Sequence, residues 1–555
     1  MTRSTAPIPA LVQRAPSAAG FGAWIHGGAA LVWLPQAALL AFAAQGLRDG
    51  RGLDAVLWPA AGFLLLGLLR AVAEAWGARQ VFGAARSQLS ALRAQAASSL
   101  AARSPLDSSR PASGLAASVL AEQAEALVPY LVRFQPARRR AMLVPLVFLP
   151  VIAWFSWLAA LVLLIAAPLI PMFMAIVGLR AKAASEAQLV EMGGMNAFLL
   201  DRLRGLATLR SLGAIDATAR RLGESAQSLR RRTMAVLRIA FLSSALLELF
   251  SALGVAIVAA YIGFHLLGTL TFGTWGRPLS LGEGLFVLLL APAFFDPLRE
   301  LSAVWHDRAS GEAALEALGR LSDGGLRMVG APTDATVYES ATAASVDIRK
   351  LHFAHVGESA VFRDFDLRIA AGEHVAVMGP SGAGKTALLN LIAGLVPAAA
   401  GDIAIRGVEL TPETAATLRR QIGWMGQRAH VFAGSVQDNV SLGRAGIARA
   451  QVDAAMQVAD LGSVAQAHPG VALGEGGTGL SGGEAARLAL ARIAASSHAS
   501  LLLVDEPTAH LDTETAVRVA DALIELARGK TLIAVTHDPA FAARMDRVIR
   551  LEACA

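Results

Sequence analysis

The sequence predicts two folds in one chain, an α-helical membrane domain of six spans followed by an α/β domain with a phosphate-binding loop. Residues 141–179 contain no Asp, Glu, Lys or Arg, a length that suits two helices crossing a membrane. After residue 345, apolar strands and helices alternate, as they do around a mostly parallel sheet. Residues 379–386, GPSGAGKT, match the phosphate-loop pattern G-x-x-x-x-G-K-[ST] at every fixed position.

Composition agrees with this division. The chain has 555 residues, of which 55% are hydrophobic and 17% charged, whereas soluble domains have about 25% charged residues. A disordered chain is excluded, and a purely soluble enzyme is disfavoured. The single cysteine, Cys554, permits no intramolecular disulfide and no cysteine-based metal site.

The membrane domain is predicted over residues 21–320. Its six apolar spans are 21–47, 57–76, two spans within 141–179, 236–267 and 281–304. The sequence WFSW at residues 154–157 marks the short turn between the third and fourth spans, with aromatic residues at the interface. Residues 1–20 lack the apolar core of 7–15 residues of a cleavable signal and are predicted to be a cytoplasmic tail.

Basic residues predict the orientation. The connections after the second and fourth spans are rich in arginine, whereas residues 268–280 contain only Arg277. Because positive segments stay inside, both termini and both long connections are expected in the cytoplasm. Residues 1–340 carry a net charge of +9 and residues 341–555 one of −3, within the total of +6. The positive excess therefore indicates membrane topology, and no nucleic-acid partner is predicted.

The α/β domain is predicted over residues 346–555, after a linker of small and turn-forming residues at 321–345. Residues 374–379, 501–506 and 531–537 are predicted strands, and a helix is expected after residue 381.

A nucleotide site follows from two segments. In the first, backbone N–H groups would wrap the phosphates while Lys385 contacts the β and γ oxygens and the Thr386 hydroxyl binds Mg²⁺; this loop comprises Gly379, Pro380, Ser381, Gly382, Ala383, Gly384, Lys385 and Thr386. The second, LLLVDE, ends a buried strand in Asp505, a second Mg²⁺ ligand, and Glu506, a candidate base or water-positioning group.

Residues 480–484, LSGGE, stand between these two segments, and the combined order resembles the ABC ATPase family. The resemblance implies a head-to-tail dimer in which each phosphate loop faces the partner's signature segment. The matching signature residues are Ser481, Gly482, Gly483 and Glu484. Glu484 replaces the usual Gln, a change we expect to be tolerated.

The same resemblance assigns roles to four further residues. It implies that Gln427 touches Mg²⁺ and senses the membrane domain, and that His537 contacts the γ-phosphate. Asp512 ends the D-loop, and His355 stands where the family has a tyrosine that stacks on adenine.

Spans followed by an ATPase domain resemble the half-transporters of ABC exporters. Five segments of the membrane half resemble the CydD family: residues 127–146, 167–178, 198–210, 231–250 and 284–311. That resemblance implies an inner-membrane protein paired with a CydC-like half. The pair would export cysteine or glutathione to the periplasm and support cytochrome bd and c assembly, with ATP and Mg²⁺ as cofactors and lipid as surroundings. Residues 201–221 stand where these proteins have a cytoplasmic coupling helix.

Polar residues within spans are candidates for cargo contact, because burying them in hydrocarbon is costly. Two pairs are close in sequence, Arg70 with Glu74 and Asp296 with Arg299, whereas Glu248 has no local partner. His26 and His306 are candidate haem ligands.

Three other functions are considered. Haem is the alternative cargo for the same pair, and a homodimeric exporter of drugs or lipids is the alternative assembly. A soluble ABC ATPase of DNA maintenance conflicts with the uncharged stretch 141–179.

Overall fold

The computed structural model describes residues 17–322, 324–330, 342–355, 357–427, 429–444, 446–462, 473 and 480–552. These residues form two compact units. The helical unit contains the described residues up to Ser98 and those from Pro111 to Ser322. The α/β unit contains residues 99–110 and the described residues from Gly324 onward.

The predicted boundaries differ from these units in three places. Residues 17–20, predicted to be tail, are already helical. The last helix of the helical unit continues to Ser322, two residues beyond the predicted end of the membrane domain. Residues 99–110, predicted as part of the membrane domain, belong to the α/β unit. Residues 1–16 of the predicted tail and 331–341 of the predicted linker lie outside the described residues.

Long helices make up the helical unit. They are α1 (Ser17–Gly28), α2 (Trp33–Arg48), α3 (Asp54–Ala101), α4 (Ser113–Ala121), α5 (Gln135–Phe155), α6 (Trp157–Arg204), α7 (Leu206–Ser211), α8 (Ile215–Leu266), α9 (Leu281–Ala303) and α10 (Trp305–Ser322). A 3₁₀ turn (Ala29–Val32) joins α1 to α2, and short helical turns join α4 to α5, ending in a π turn at Tyr130–Phe134.

Five described helical stretches are long and apolar enough to cross a membrane: Phe21–Arg48, Asp54–Ala101, Ser113–Phe155, Glu248–Leu266 and Leu281–Ser322. The fourth predicted span corresponds to α6, whose apolar stretch among the described residues is the shorter Trp157–Leu169. The outer face of α3 exposes Leu64, Leu65, Leu68 and Leu69. Such a continuous apolar face is expected toward lipid and not toward water.

The core of the helical unit is built by α2, α5, α6, α8 and α9. Phe148, Leu163, Phe294 and Phe295 are among its fully buried side chains. The predicted turn at residues 154–157 is confirmed, since α5 ends at Phe155 and α6 begins at Trp157. Between them Ser156 is extended, and its hydroxyl caps α6 by accepting from the Ala159 N–H.

Two sheets form the α/β unit. The antiparallel sheet has the order β2-β1-β4-β5, with β1 Val346–Ala354, β2 Ala360–Ile369, β4 Ala400–Ile405 and β5 Val408–Glu409. The parallel sheet has the order β6-β7-β8-β3-β9, with β3 His374–Met378, β6 Ile422–Met425, β7 Leu501–Asp505, β8 Thr531–Val535 and β9 Arg547–Arg550. The predicted strands 374–379, 501–506 and 531–537 are confirmed as β3, β7 and β8, and they are neighbours.

Helices pack around these sheets. They are α11 (Lys385–Ile392), α12 (Ala415–Arg420), α13 (Val436–Ser441), α14 (Arg449–Val458), α15 (Gly482–Ala494), α16 (Thr513–Ala527) and α17 (Pro539–Ala542). Strands β7 and β8 are buried along their whole length, and two apolar clusters lie on the two faces of the parallel sheet. Continuous apolar strands of this kind are typical of a parallel sheet covered on both faces.

Residues 99–110 join the α/β unit through backbone pairing. Ser104 N–H donates to Leu326 O (2.8 Å), and Met328 N–H donates to Ala102 O (3.0 Å). Leu106 packs against the core of the unit. Gly325 has φ +83°, and a Cβ there would lie 2.3 Å from Asp107 Oδ2, so glycine is required for this approach.

Candidate nucleotide site

The phosphate loop connects β3 to α11, as its motif predicts. Gly382 and Gly384 have φ of +85° and +86°, a region that residues with a Cβ rarely adopt. Gly384 caps α11, and a Cβ on it would lie 2.4 Å from Val361 Cγ1. The loop therefore needs glycine at this position for both its dihedral angle and its packing.

Lys385 is the first residue of α11 and is 7% exposed. Its ammonium group donates to the carbonyls of Gly379 (2.9 Å) and Pro380 (2.8 Å), so it lies across the loop. Ala383 is buried beneath the loop, whereas Pro380 and Ser381 are exposed. The charged amine, the exposed rim and the helix N-terminus together form an arrangement suited to phosphate.

Thr386 and Asp505 meet at the end of β7. The Thr386 hydroxyl donates to Asp505 Oδ2 over 2.8 Å. Burial raises the pKa of the Asp505 carboxyl above its usual value, and the Thr386 hydrogen bond opposes that rise. Hydroxyl and carboxylate oxygens are the donors that Mg²⁺ prefers, with phosphate and water completing its shell. Among the described residues no cluster of three His, Cys, Asp or Glu groups has metal-binding geometry.

Glu506 and His537 form the second contact of the site. His537 Nε2 lies 3.2 Å from Glu506 Oε1, and the Glu506 side chain is only 10% exposed. Glu506 has φ +52°, and its N–H donates to Val535 O on the neighbouring strand (2.9 Å). A non-glycine residue in this left-handed conformation is strained, which is common at functional sites, and the carboxylate beside His537 is a candidate base.

The signature residues begin α15. Ser481 is the N-cap and forms a capping box with Glu484: Glu484 N–H donates to Ser481 Oγ (3.3 Å), while Ser481 N–H donates to Glu484 Oε2 (2.7 Å). A Cβ on Gly483 would lie 2.7 Å from Thr515 Cγ2 of α16. Gly482 and Ser481 are exposed.

The remaining predicted residues lie around this centre. Asp512 caps α16 by accepting from Thr515 N–H (2.9 Å), and the hydrogen bonds from Thr515 hold its pKa below the usual value. Gln427 follows β6 and is exposed. His355 directly follows β1 and is half-buried, with its ring edge-on to that of Phe353 at 5.0 Å between centroids.

One buried network was not predicted from the sequence. Asn439 on α13 is 1% exposed, and its side chain bonds Phe432 N–H (2.9 Å), Phe432 O (2.8 Å) and Ser435 O (3.1 Å). Arg492 of α15 donates to Asn439 O (2.7 Å), Asn439 Oδ1 (2.9 Å) and His430 O (2.7 Å). It ties the segment after Gln427 to the signature helix. The sequence does contain a signal for this network: Arg492 is the one charged residue within the apolar run 488–495, and a charged side chain on a buried helix face needs polar partners.

The charged residues that the sequence places within spans contact one another in the helical unit. Arg70 Nε donates to Glu74 Oε1 (3.0 Å), and Arg299 contacts Asp296, so both predicted local pairs are confirmed. Glu248, which has no partner nearby in the sequence, has one in the fold, because Arg299 Nη1 lies 3.3 Å from its carboxylate. Arg299 and Glu248 are far apart in sequence and belong to α9 and α8.

The two candidate haem ligands are engaged in other contacts. His26 Nε2 lies 2.7 Å from Arg140 Nη2, and its Nδ1 lies 3.3 Å from Glu74 O. His306 Nε2 lies 3.1 Å from Asp307 Oδ1. His26 therefore offers no ring nitrogen to iron in this arrangement.

Residues 201–221, the predicted coupling segment, comprise the end of α6, the short helix α7 and the start of α8. α7 is held by Gly205 at its start and by Ala214 N–H donating to Leu209 O (2.9 Å) at its end. Docking of this segment on an ATPase domain remains a prediction.

Comparisons with known proteins agree with both halves. Residues 362–509 match the ABC transporter family model, and residues 139–282 match the ABC transporter transmembrane region. The chain is 37% identical over 76% of its length to the Haemophilus influenzae glutathione/L-cysteine transport system ATP-binding/permease protein CydD, covering 71% of it. It is 28% identical over 93% of its length to the corresponding CydC protein of Bacillus subtilis, covering 89% of it.

The fold is similar to the solved structure of a bacterial Atm1-family ABC exporter with ATP bound. The TM-score is 0.75 at 22% identity, over 98% of this chain and 95% of that one. The ATPase domain and the transmembrane region make the protein a membrane transporter that couples ATP hydrolysis to transport. The chain belongs to the ABC transporter family, among the half-transporters of the CydD type.

Proposed function

We propose that this chain is one half of a heterodimeric exporter that moves cysteine- or glutathione-type thiols out of the cytoplasm. The observation that carries this proposal is its similarity, over three quarters of its length, to a protein named for glutathione and cysteine transport. A CydC-like half is the proposed partner. The α/β unit and both termini face the cytoplasm, and the cargo enters the periplasm across the inner membrane, where it supports assembly of cytochromes bd and c.

The nucleotide site supplies the driving reaction. Lys385 and the loop amides bind the phosphates of ATP, and Thr386, Asp505 and Gln427 are the residues that would hold Mg²⁺. Mg²⁺ would supply charge neutralisation at the β and γ oxygens. Glu506 orients the attacking water and accepts its proton, and His537 keeps the Glu506 carboxylate in place and approaches the γ-phosphate.

The partner's signature segment completes each nucleotide site. Ser481 and Gly482 lie exposed at the N-terminus of α15, next to the half-buried Gly483, where backbone N–H groups attract anions. Closure of the two ATPase domains around ATP then turns the membrane halves outward, and hydrolysis resets them.

Haem is the second cargo that the resemblance allows, and the contacts of His26 do not favour it. Both ring nitrogens of His26 are engaged by protein groups, whereas a haem ligand needs one free nitrogen.

ATP-dependent uptake into inverted membrane vesicles tests the proposal. Vesicles containing this chain and its CydC-like partner are given labelled glutathione, labelled cysteine or haem, with and without ATP. We expect thiol uptake only with ATP, and none in a Glu506→Gln pair. Absence of thiol uptake by a pair that still hydrolyses ATP would contradict thiol export, and uptake of haem alone would reassign the cargo.

A further inference from the structure

The helical unit contains a cavity of about 280 Å³. It lies among the start of α2, the middle of α3, the first half of α5 and the last half of α9. Trp33, Val144, Phe148 and Leu289 are part of its apolar wall. This volume is at the small end for ligand sites, so the space suits an amino acid or a small peptide better than a lipid chain or a macrocycle.

Four charged side chains line this apolar cavity: Arg70, Arg140, Asp296 and Glu300. They come from three helices, and their formal charges sum to zero. Charges within a membrane domain are costly and mark functional positions by default. Two cations and two anions around one apolar space are complementary to a zwitterion, which carries both signs itself.

Arg140 is held in the cavity wall with one donor unused. Its side chain is 14% exposed. Nη1 donates to both carboxylate oxygens of Glu300 (3.1 and 3.2 Å), and Nη2 donates to His26 Nε2 (2.7 Å) and His26 O (3.2 Å). The Nε atom is buried and has no hydrogen-bond partner among the described residues.

His26 fixes the orientation of that arginine. Because Nε2 accepts from Arg140, the ring proton is on Nδ1, which faces Glu74 O at 3.3 Å. Glu74 in turn accepts from Arg70 Nε through its carboxylate (3.0 Å). The two arginines are thus connected through α1 and α3, and each is positioned before any ligand arrives.

The acidic side of the cavity is organised in the same way. Asp296 contacts Arg299, which also holds Glu248 on α8. Asp296 and Glu300 are four residues apart on α9 and therefore share one face of that helix. An ammonium group placed against this face would have two carboxylates within reach.

We propose that this cavity binds a small amino-acid or peptide zwitterion within a single half of the transporter. Arg140 and Arg70 bind its carboxylates, and Asp296 and Glu300 bind its ammonium group. The proposal rests on the proposed function only for the identification of that zwitterion as transported cysteine or glutathione. The charge pattern itself does not require a thiol.

Equilibrium binding to the purified pair, without ATP, tests the site. The probes are glutathione, cysteine, and two sulfur-free counterparts: serine and γ-glutamyl-α-aminobutyryl-glycine. N-acetylcysteine lacks the ammonium group, and cysteamine lacks the carboxylate. We expect both thiols and both sulfur-free zwitterions to bind, and each charge-deleted thiol to bind about tenfold more weakly or worse.

Variants identify the residues. Arg140→Gln and Glu300→Gln are each expected to weaken zwitterion binding about tenfold or more, because each removes one charge and strands another. Arg140→Lys should recover part of the affinity. The double variant Arg140→Gln/Glu300→Gln removes both members of the ion pair. Weaker binding by this variant therefore cannot result from one charge of the pair left without its partner. Arg51→Gln, in the loop before α3 and 59% exposed, is the matched control and should bind like wild type.

The outcomes separate this proposal from thiol export. Failure of every zwitterion to bind, or equal binding to Arg140→Gln and wild type, would overturn the cavity assignment even if vesicles take up thiols. Binding of the sulfur-free zwitterions that is lost in Arg140→Gln would uphold the assignment even if vesicles take up no thiol.

Discussion

The two units position their charged groups by different means. In the α/β unit, the phosphate loop, Asp505–Glu506 and His537 follow the carboxyl ends of β3, β7 and β8, which are neighbours in one parallel sheet. In the helical unit, Arg140 meets His26 and Glu300 across 114 and 160 residues of chain. The first arrangement follows from strand order, whereas the second depends on how separate helices pack.

The difference also appears in the backbone. The nucleotide site uses left-handed residues such as Gly382, Gly384 and Glu506 to aim groups at one point. The charged cavity uses regular helices, and its precision comes from side chains that hold one another. A single substitution should therefore act locally in the α/β unit and through partners in the helical unit.

The largest effect is expected at Glu506. Glu506→Gln keeps the size of the side chain but removes the base, so ATP hydrolysis by the purified pair should fall about a hundredfold or more. Glu525→Gln, on the exposed face of α16, is the matched control and should hydrolyse ATP normally. A Glu506→Gln rate near wild type would remove Glu506 from the proposed mechanism.

Gly384→Ala should have the next largest effect. The new Cβ would meet Val361 at 2.4 Å in a backbone with φ +86°, and the strain should cost about 1–3 kcal/mol. Because the clash displaces the phosphate loop, the affinity for nucleotide, measured by equilibrium binding, should fall about tenfold or more. Gly407 has φ +75°, and a Cβ there would meet open space. Gly407→Ala therefore measures the cost of the left-handed backbone alone, without a steric clash. Equal behaviour of the two variants would show that the contact with Val361 is unimportant.

Asn439→Ala tests the unpredicted network. It removes the side-chain partner of Phe432 N–H and of Phe432 O, and one of the three acceptors of Arg492, and we expect a destabilisation of about 2–3 kcal/mol. The midpoint of thermal unfolding of the full-length protein should fall, whereas Gln457→Ala on the exposed side of α14 should not change it. An unchanged midpoint would mean that the segment after Gln427 does not depend on α15 for its fold.

Ser156→Ala, in the helical unit, should have the smallest effect of the four substitutions. Ser156 is fully buried, and its hydroxyl donates to Gly273 O (2.7 Å) and caps α6. Its loss should cost about 1–2 kcal/mol, seen as a lower unfolding midpoint in detergent. Ser87→Ala, which removes an exposed hydroxyl bonded to its own helix at Ala84, is the control. A larger loss at Ser87 than at Ser156 would contradict this account of the turn.

Much of the fold could be predicted because its signals are local. The uncharged run at 141–179 predicted α5, the turn at Ser156 and the start of α6, since apolar length and turn residues act over a few residues. The three strands were also found from short apolar runs. The assignment of residues 99–110 could not be predicted, because their pairing with residues 324–330 joins segments separated by most of the membrane domain.

The sequence by itself determined the chemistry of the nucleotide site. Gly384, Lys385, Thr386, Asp505 and Glu506 occupy fixed positions in short motifs, and the end of a parallel strand places such residues without further information. Only the tertiary structure decided the partner of Glu248, the engagement of His26, and the meeting of Arg140 with Glu300 beside a cavity. Those contacts join helices whose rotation and crossing are set by packing along their whole length, and no short stretch of sequence specifies them.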